Sequence, residues 1–155
     1  LQPPFPFRHL ALNEDASRLA VGSPSRVALL DGGRVTPVDV PEGEQVVDLQ
    51  LDREGRSLFL RTDLALYRLA PEGHGPEWRT PLDTPFGFVE IAPNDRWLVA
   101  SVVMGVAILS PEDGRIHYTV SAPVSCAAFS EEGDELALGL ETGVVRLVSI
   151  PARPE

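Results

Sequence analysis

The strongest constraint in this sequence is a unit of roughly 40 residues that occurs four times. In each unit a leucine follows a polar turn, and the four leucines lie 39, 40 and 38 residues apart: Leu19, Leu58, Leu98 and Leu136. Seven residues before each leucine stands another large apolar residue: Leu12, Leu51, Ile91 and Phe129. Eight residues after each stands a third: Val27, Leu66, Val106 and Val144. Three columns that align over four copies indicate an internal repeat.

The residues within each copy follow the pattern of β-strands. Val47, Leu49 and Leu51 alternate with polar residues, and this period of two is typical of half-buried strands. No stretch carries the apolar stripe of a helix over three turns. Most prolines fall between the predicted strands, and Pro37 falls in a predicted outermost strand, where a missing backbone donor is tolerated.

Each of the first three copies is predicted to hold four short strands, and the last to hold three. We place them at 8–13, 17–22, 26–31 and 34–40; at 45–51, 56–61, 64–70 and 76–82; at 86–92, 96–102, 105–110 and 115–121; and at 124–130, 135–140 and 143–150. A four-stranded meander that recurs at this period is typical of a propeller blade. The sequence therefore predicts an all-β protein, a β-propeller of four-stranded antiparallel blades at 8–41, 44–82, 85–122 and 124–150, with an N-terminal extension at 1–7 and a C-terminal stub at 151–155.

The last copy adds a family resemblance. Residues 128–139 read AFSEEGDELALG and residues 142–147 read TGVVRL, and together they resemble a blade of the WD-repeat family. Val148 and Ser149 stand where that family has its Trp-Asp pair, and no Gly-His pair precedes any copy. The repeats are therefore degenerate, and the hydrogen-bond network of the family is not available. The resemblance implies a non-catalytic scaffold whose loops bind a partner protein.

Four blades leave the closure of the ring open. Propellers have 4–8 blades, and WD-type rings usually need about 300 residues. Three alternatives follow. The chain forms part of a larger ring, it forms half of a ring shared by a homodimer, or it forms a four-bladed ring in which residues 1–7 supply the missing strand of the last blade. Pro3, Pro4 and Pro6 weaken the last alternative because proline cannot donate to a ladder. An incomplete ring is our expectation.

The charge of the chain limits the classes of partner that it is expected to bind. Thirteen arginines and no lysines face 23 acidic residues, which gives a net charge of −10. Scattered and outnumbered cations argue against nucleic acid and against anionic membranes as partners. No apolar run approaches the roughly 18 residues that span a bilayer, and the first residues lack the basic region of a signal peptide. We expect a cytoplasmic protein, and the absence of lysine indicates a bacterial source.

The sequence contains no cluster that predicts catalysis, so we expect neither an enzyme nor a bound metal or cofactor. His9, His74 and His117 lie at unrelated positions of different copies. Cys126, the single cysteine, is expected to be a buried apolar thiol. The acidic run at 131–135 lacks the spacing of a calcium loop and is expected to be a solvated turn.

A few residues are candidates for an interface. Trp97 lies in a column of polar residues and is therefore expected to be exposed, beside Arg96, and Phe86 lies at the entry to an inner strand. The leading hypothesis is a scaffold that binds a protein through its loops. One alternative is an enzyme or small-ligand binder whose central channel is lined by three inner-strand residues: Asp48, Gln50 and Glu90. Another is a regulatory or structural domain of a larger bacterial protein.

Overall fold

The computed structural model describes residues 5–70, 75–82, 84 and 87–151, and the ordered elements in this part of the chain are β-strands. Blade 1 contains β1 (His9–Leu12), β2 (Arg18–Ser23), β3 (Arg26–Asp31) and β4 (Arg34–Val38). Blade 2 contains β5 (Val46–Leu51), β6 (Leu58–Thr62), β7 (Ala65–Leu69) and β8 (Pro76–Pro81). Blade 3 contains β9 (Val89–Ile91), β10 (Leu98–Val102), β11 (Gly105–Leu109) and β12 (Ile116–Ser121). Blade 4 contains β13 (Val124–Phe129), β14 (Glu135–Leu140) and β15 (Val145–Ser149).

The strand order confirms the predicted all-β class. Each blade is an antiparallel meander in which strands consecutive in the chain are also hydrogen-bonded neighbours. The predicted strands are all present, and the largest shift is in β9, which begins at Val89 rather than at residue 86. Before that point the Phe88 carbonyl oxygen still accepts the Ser101 backbone amide at 3.1 Å, but the Phe88 amide donates to the Ser101 hydroxyl at 3.0 Å, so only one of the two backbone bonds forms.

The register of the sheets explains two of the three repeated columns. Each anchor leucine is the direct cross-strand partner of the apolar residue seven positions earlier: Leu12 with Leu19, Leu51 with Leu58, Ile91 with Leu98, and Phe129 with Leu136. Directly opposed side chains on one face of a sheet contact each other, so each pair forms one apolar unit. In blades 2 to 4 this unit faces the preceding blade.

Apolar clusters fill the spaces between consecutive blades. Blades 1 and 2 share a cluster that includes Leu29, Leu49, Leu58, Leu60 and Tyr67. Blades 2 and 3 share one that includes Phe59, Leu66, Val89, Leu98 and Leu109. Blades 3 and 4 share one that includes Trp97, Val99, Ile108, Leu136 and Leu138. The innermost strands of consecutive blades also contact each other, so the sheets are arranged side by side about a common axis.

A further column appears only in the structure. The turn between the first and second strands of every blade holds a residue with left-handed backbone conformation: Ala16 (φ 56°), Gly55 (φ 70°), Asp95 (φ 55°) and Gly133 (φ 72°). This conformation suits glycine and strains a residue with a β-carbon. Blades 1 and 3 therefore form the same turn as blades 2 and 4 with a less suitable residue.

The four blades form an open arc in the described part of the chain. No apolar cluster of the described residues joins blade 4 to blade 1. Phe5 packs on the outer face of blade 1, against Val21, Ala28 and Leu30. The described part of the N-terminal extension therefore does not supply a fourth strand to blade 4.

Candidate interaction surface

The two ends of the arc differ in chemistry. The turns between the first and second strands of the blades lie at one end, which we name the acidic end: 13–17, 52–57, 92–97 and 130–134. The turns between the second and third strands lie at the other, which we name the apolar end: 24–25, 63–64, 103–104 and 141–144. Antiparallel meanders place successive turns at opposite ends, so this separation follows from the topology.

Hydrogen bonds and an ion pair connect the turns of adjacent blades at the acidic end. Arg53 of blade 2 forms an ion pair with Glu14 of blade 1, and the hydrogen bond from Arg53 lowers the pKa of Glu14. The backbone amide of Arg53 donates to Asp95 Oδ1 of blade 3 at 3.1 Å. Asn94 Nδ2 donates to the Glu132 carbonyl oxygen of blade 4 at 2.6 Å. These contacts fix the turns of adjacent blades relative to one another.

The apolar end carries large exposed side chains on three consecutive blades. We name them the apolar tips: Leu64 of blade 2, Val103 and Met104 of blade 3, and Val144 of blade 4. Their exposed fractions lie between 48% and 73%. Single exposed apolar residues are common on soluble proteins, whereas a group at one end is typical of a binding surface.

Of the three residues expected to line a channel, Asp48 forms a hydrogen bond between two blades. Asp48 is only half-buried, and its two carboxylate oxygens accept the backbone amides of Leu49 at 2.9 Å and Val89 at 3.0 Å. Burial raises the pKa of Asp48 in spite of these bonds. Burial and the charge of Asp48 also raise the pKa of Glu90. Asp48 therefore joins blade 2 to blade 3, while Gln50 is half-buried on the same strand.

Arg61 is a buried cation that sequence reasoning missed. Its Nη1 and Nη2 atoms donate to the carbonyl oxygens of Leu82 at 3.4 Å and Thr84 at 3.2 Å. These acceptors lie in the connection from blade 2 to blade 3, so the guanidinium holds that connection in place. Burial lowers the pKa of Arg61 to about 10. The signal in the sequence was an arginine directly after an apolar run at 58–60.

A groove of about 740 Å³ separates the outer strands of blades 1 and 2. Its floor includes Leu29, Leu60, Tyr67 and Leu69, and Arg34 and Asp39 lie at its rim. The groove opens to solvent between two blades and does not involve the inner-strand residues Asp48 and Glu90.

The structure describes two of the three predicted interface residues. Phe86 lies outside the described residues. Arg96 is exposed, but at the acidic end. The expectation that Trp97 is exposed is wrong: it is 2% exposed, and its ring centre lies 5.3 Å from that of His117 and 6.1 Å from that of Tyr118. The residue before the anchor leucine faces the following blade, so blade 4 covers Trp97.

The expectation for Cys126 is also wrong, because this residue is exposed. It lies on the outer face of blade 4, which no described residue covers. His9 and His117 lie on strands of different blades, and His74 falls outside the described residues. Among the residues that the structure describes, no group of three or more His, Cys, Asp or Glu side chains is placed to hold a metal ion. That part of the chain also lacks any helix long and apolar enough to cross a membrane.

Comparison with solved structures agrees with the fold, an all-β arrangement of propeller blades. Hydrazine synthase of Kuenenia stuttgartiensis superposes with a TM-score of 0.67 at 16% sequence identity. The match covers 84% of this chain and 42% of the other, so this chain spans less than half of that protein's length. No family model matches the sequence, and no curated protein matches it.

Proposed function

We propose that this chain is a non-catalytic interaction module of degenerate WD-repeat type, which binds a partner protein at its apolar end. The observation that carries the proposal is the position of the apolar tips, exposed on three consecutive blades while the blade interfaces beneath them are closely packed. Apolar side chains held on a rigid scaffold bind without a large ordering cost. The acidic end is a weaker candidate because its turns are already engaged with one another.

The proposed assignment of the propeller to the WD-repeat type rests on blade 4. Phe129 and Leu136 are paired across the sheet, and the turn between them is closed by side-chain bonds. The Ser130 hydroxyl donates to Asp134 Oδ1 at 2.9 Å and accepts from the Glu135 amide at 3.1 Å. This serine stands where the family resemblance expects it. In blades 1 and 2 the same repeat position holds Asn13 and Asp52, which accept the amides of Arg18 and Arg56, whereas blade 3 has Ala92 there.

The proposal is tested by cross-linking from the two ends. A photo-reactive benzoylphenylalanine in place of Met104 is expected to give a discrete adduct with one partner in the cells that make the protein. The same group in place of Asp15, an exposed residue of the acidic end, serves as the matched control and should give none. Equal adducts from both positions, or no adduct from position 104, would contradict the proposal.

A double substitution at the apolar tips distinguishes an effect on binding from an effect on stability. Val103→Ser combined with Met104→Ser removes two tips that are largely solvated, so the free energy of unfolding should change by less than about 0.5 kcal/mol for each. Cross-linking from position 64, the neighbouring tip, should then be lost. If cross-linking persists at full yield, the tips do not form the binding surface.

The groove between blades 1 and 2 favours a second candidate function, the binding of a small apolar molecule. Its volume of about 740 Å³ falls in the range of ligand pockets, and its floor is apolar. Native mass spectrometry of the protein purified from its source cells should detect a bound small molecule. Leu69→Trp fills the floor of the groove and should abolish that mass, while Thr119→Trp on an exposed outer strand should not.

A further inference from the structure

The groove between blades 1 and 2 has a row of charged side chains at one end. Arg18 is the cross-strand partner of Asp31, and Asp31 is that of Arg34, so the three lie side by side across β2, β3 and β4. All three line the groove. Two cations flank one carboxylate, so the row carries a net positive charge in a chain whose net charge is −10. One end of the groove is therefore locally cationic.

The two arginines of this row differ in what they contact. Arg18 Nε donates to Asp31 Oδ2 at 3.0 Å, and Arg18 Nη1 donates to the Gly55 carbonyl oxygen at 2.7 Å. The Arg18 guanidinium is therefore held by its own chain. Arg34 is exposed, and no described residue forms a hydrogen bond or an ion pair with its guanidinium. Arg34 thus presents a fork of N–H donors at the mouth of an apolar groove.

The polar group on the floor of the groove already has its partners. The Tyr67 hydroxyl donates to Glu44 Oε1 at 2.7 Å and accepts from Arg79 Nε at 2.9 Å. The tyrosine ring packs in the same apolar cluster as Leu29 and Leu60. A molecule in the groove would therefore meet apolar surface along the floor and a cation at one end.

The shape of the groove and its flanking strands favour a small molecule over a peptide. The outer strands carry prolines, Pro37 in β4 and both Pro76 and Pro81 in β8, and proline on an edge strand disfavours the addition of another strand. Along β4, Arg34 and Val38 are four residue steps apart, which at about 3.3 Å each is about 13 Å. The groove therefore suits an elongated molecule of that length.

We propose that the small molecule of the second candidate function, on which this inference rests, is an aliphatic carboxylate. Its carboxylate would lie at Arg34 and its chain along the apolar floor. The planar guanidinium matches a carboxylate with two parallel hydrogen bonds, and the single net charge of the row suits a monoanion. Asp39, exposed just beyond the other end of β4, would repel the carboxylate in the reverse orientation.

The proposal is tested by isothermal titration calorimetry of the purified protein with three probes that share one chain and differ in the head group: decanoate, decanol and decylammonium. Decanoate should bind about fivefold or more tightly than decanol at low salt, and decylammonium should bind most weakly. The net charge of the protein would by itself give the opposite order. The preference for decanoate should shrink as salt rises, because Arg34 is exposed.

Three variants locate the source of the preference. Arg34→Gln should bring the affinity for decanoate to within about twofold of that for decanol. Arg26→Gln, at an exposed arginine of blade 1 outside the groove, is the matched control and should leave the preference unchanged. Leu69→Trp fills the floor and should abolish the binding of both probes.

The outcomes distinguish this proposal from the function on which it rests. If decanoate and decanol bind equally and Leu69→Trp abolishes both, the carboxylate assignment is overturned while the groove remains a site for small apolar molecules. A preference that survives Arg34→Gln, or that Arg26→Gln removes, also overturns the assignment. If neither probe binds, or if Leu69→Trp changes nothing, both the assignment and the second candidate function fail.

Discussion

The face of blade 3 that meets blade 2 and the outer face of blade 4 are composed of similar residues, but their surroundings differ. Leu98 on the first is fully buried in the cluster shared with blade 2. Leu147 on the second lies in an equally regular strand and is mostly exposed. The comparison teaches that the continuous apolar runs of the strands specify sheets with two apolar faces. Whether a neighbour covers a face depends on the number of blades in the assembly.

The largest expected effect is a difference in the free energy of unfolding between variants of these two leucines. Leu98→Ala should lower the free energy of unfolding by about 2–5 kcal/mol, because it leaves a cavity between two packed blades. Leu147→Ala should change it by less than about 0.5 kcal/mol at high dilution, because the side chain already meets water. Urea unfolding of both variants measures the difference. If the two losses are equal, the faces are not distinct; a loss for Leu147→Ala that grows with protein concentration indicates that a second copy covers it.

A smaller effect is expected at the left-handed turn of blade 1. Ala16→Gly should raise the free energy of unfolding by about 1 kcal/mol, because φ is positive and no β-carbon would remain to be strained. Ala128→Gly, on the exposed face of blade 4, is the control with the opposite sign. It should cost about 0.5–1 kcal/mol, since glycine loses more freedom in a strand. Thermal unfolding of the two variants checks both signs.

The smallest expected effect concerns pH. Burial and the charge of Asp48 raise the pKa of Glu90 in the folded protein, so the folded state binds the proton more tightly than the unfolded state. This group therefore makes the protein less stable as pH rises from about 4 through its raised pKa. Glu90→Gln should increase stability at neutral pH and leave it unchanged near pH 3.

The matched control for the pH experiment is Glu141→Gln, at the end of the exposed face of blade 4. This substitution makes the same chemical change at an exposed residue, so it measures the effect of exchanging glutamate for glutamine away from the blade contacts. Urea unfolding at several pH values compares the two variants. If Glu90→Gln stabilised the protein equally at every pH, the effect would not arise from proton binding.

Most of the fold could be predicted from the sequence because the repeat supplies four examples of the same information. The anchor leucines and their partners seven residues earlier are cross-strand neighbours in every blade. That separation is what a tight turn between two antiparallel strands requires, so spacing alone identified the hairpins. The position of Pro37 in an outermost strand was also confirmed.

The surroundings of individual residues were harder to predict. Trp97 was expected at the surface because its column is polar in other copies, yet the face it occupies is covered by blade 4. Cys126 was expected to be buried because a free cysteine is usually a buried apolar residue, yet it is exposed. Both errors have one cause: the sequence of a blade does not say which neighbours it has. The apolar tips were not recognised as a group from the sequence.

The arrangement of the cores has a consequence for how such a molecule can change in length. Each blade is a continuous segment of chain, and it meets only the blade before it and the blade after it. Duplication of the segment that encodes blade 2 or blade 3 would insert a unit whose two sides already fit the neighbours on either side. Growth by whole units therefore needs no new complementary surface, whereas the loss of half a unit would expose two cores at once.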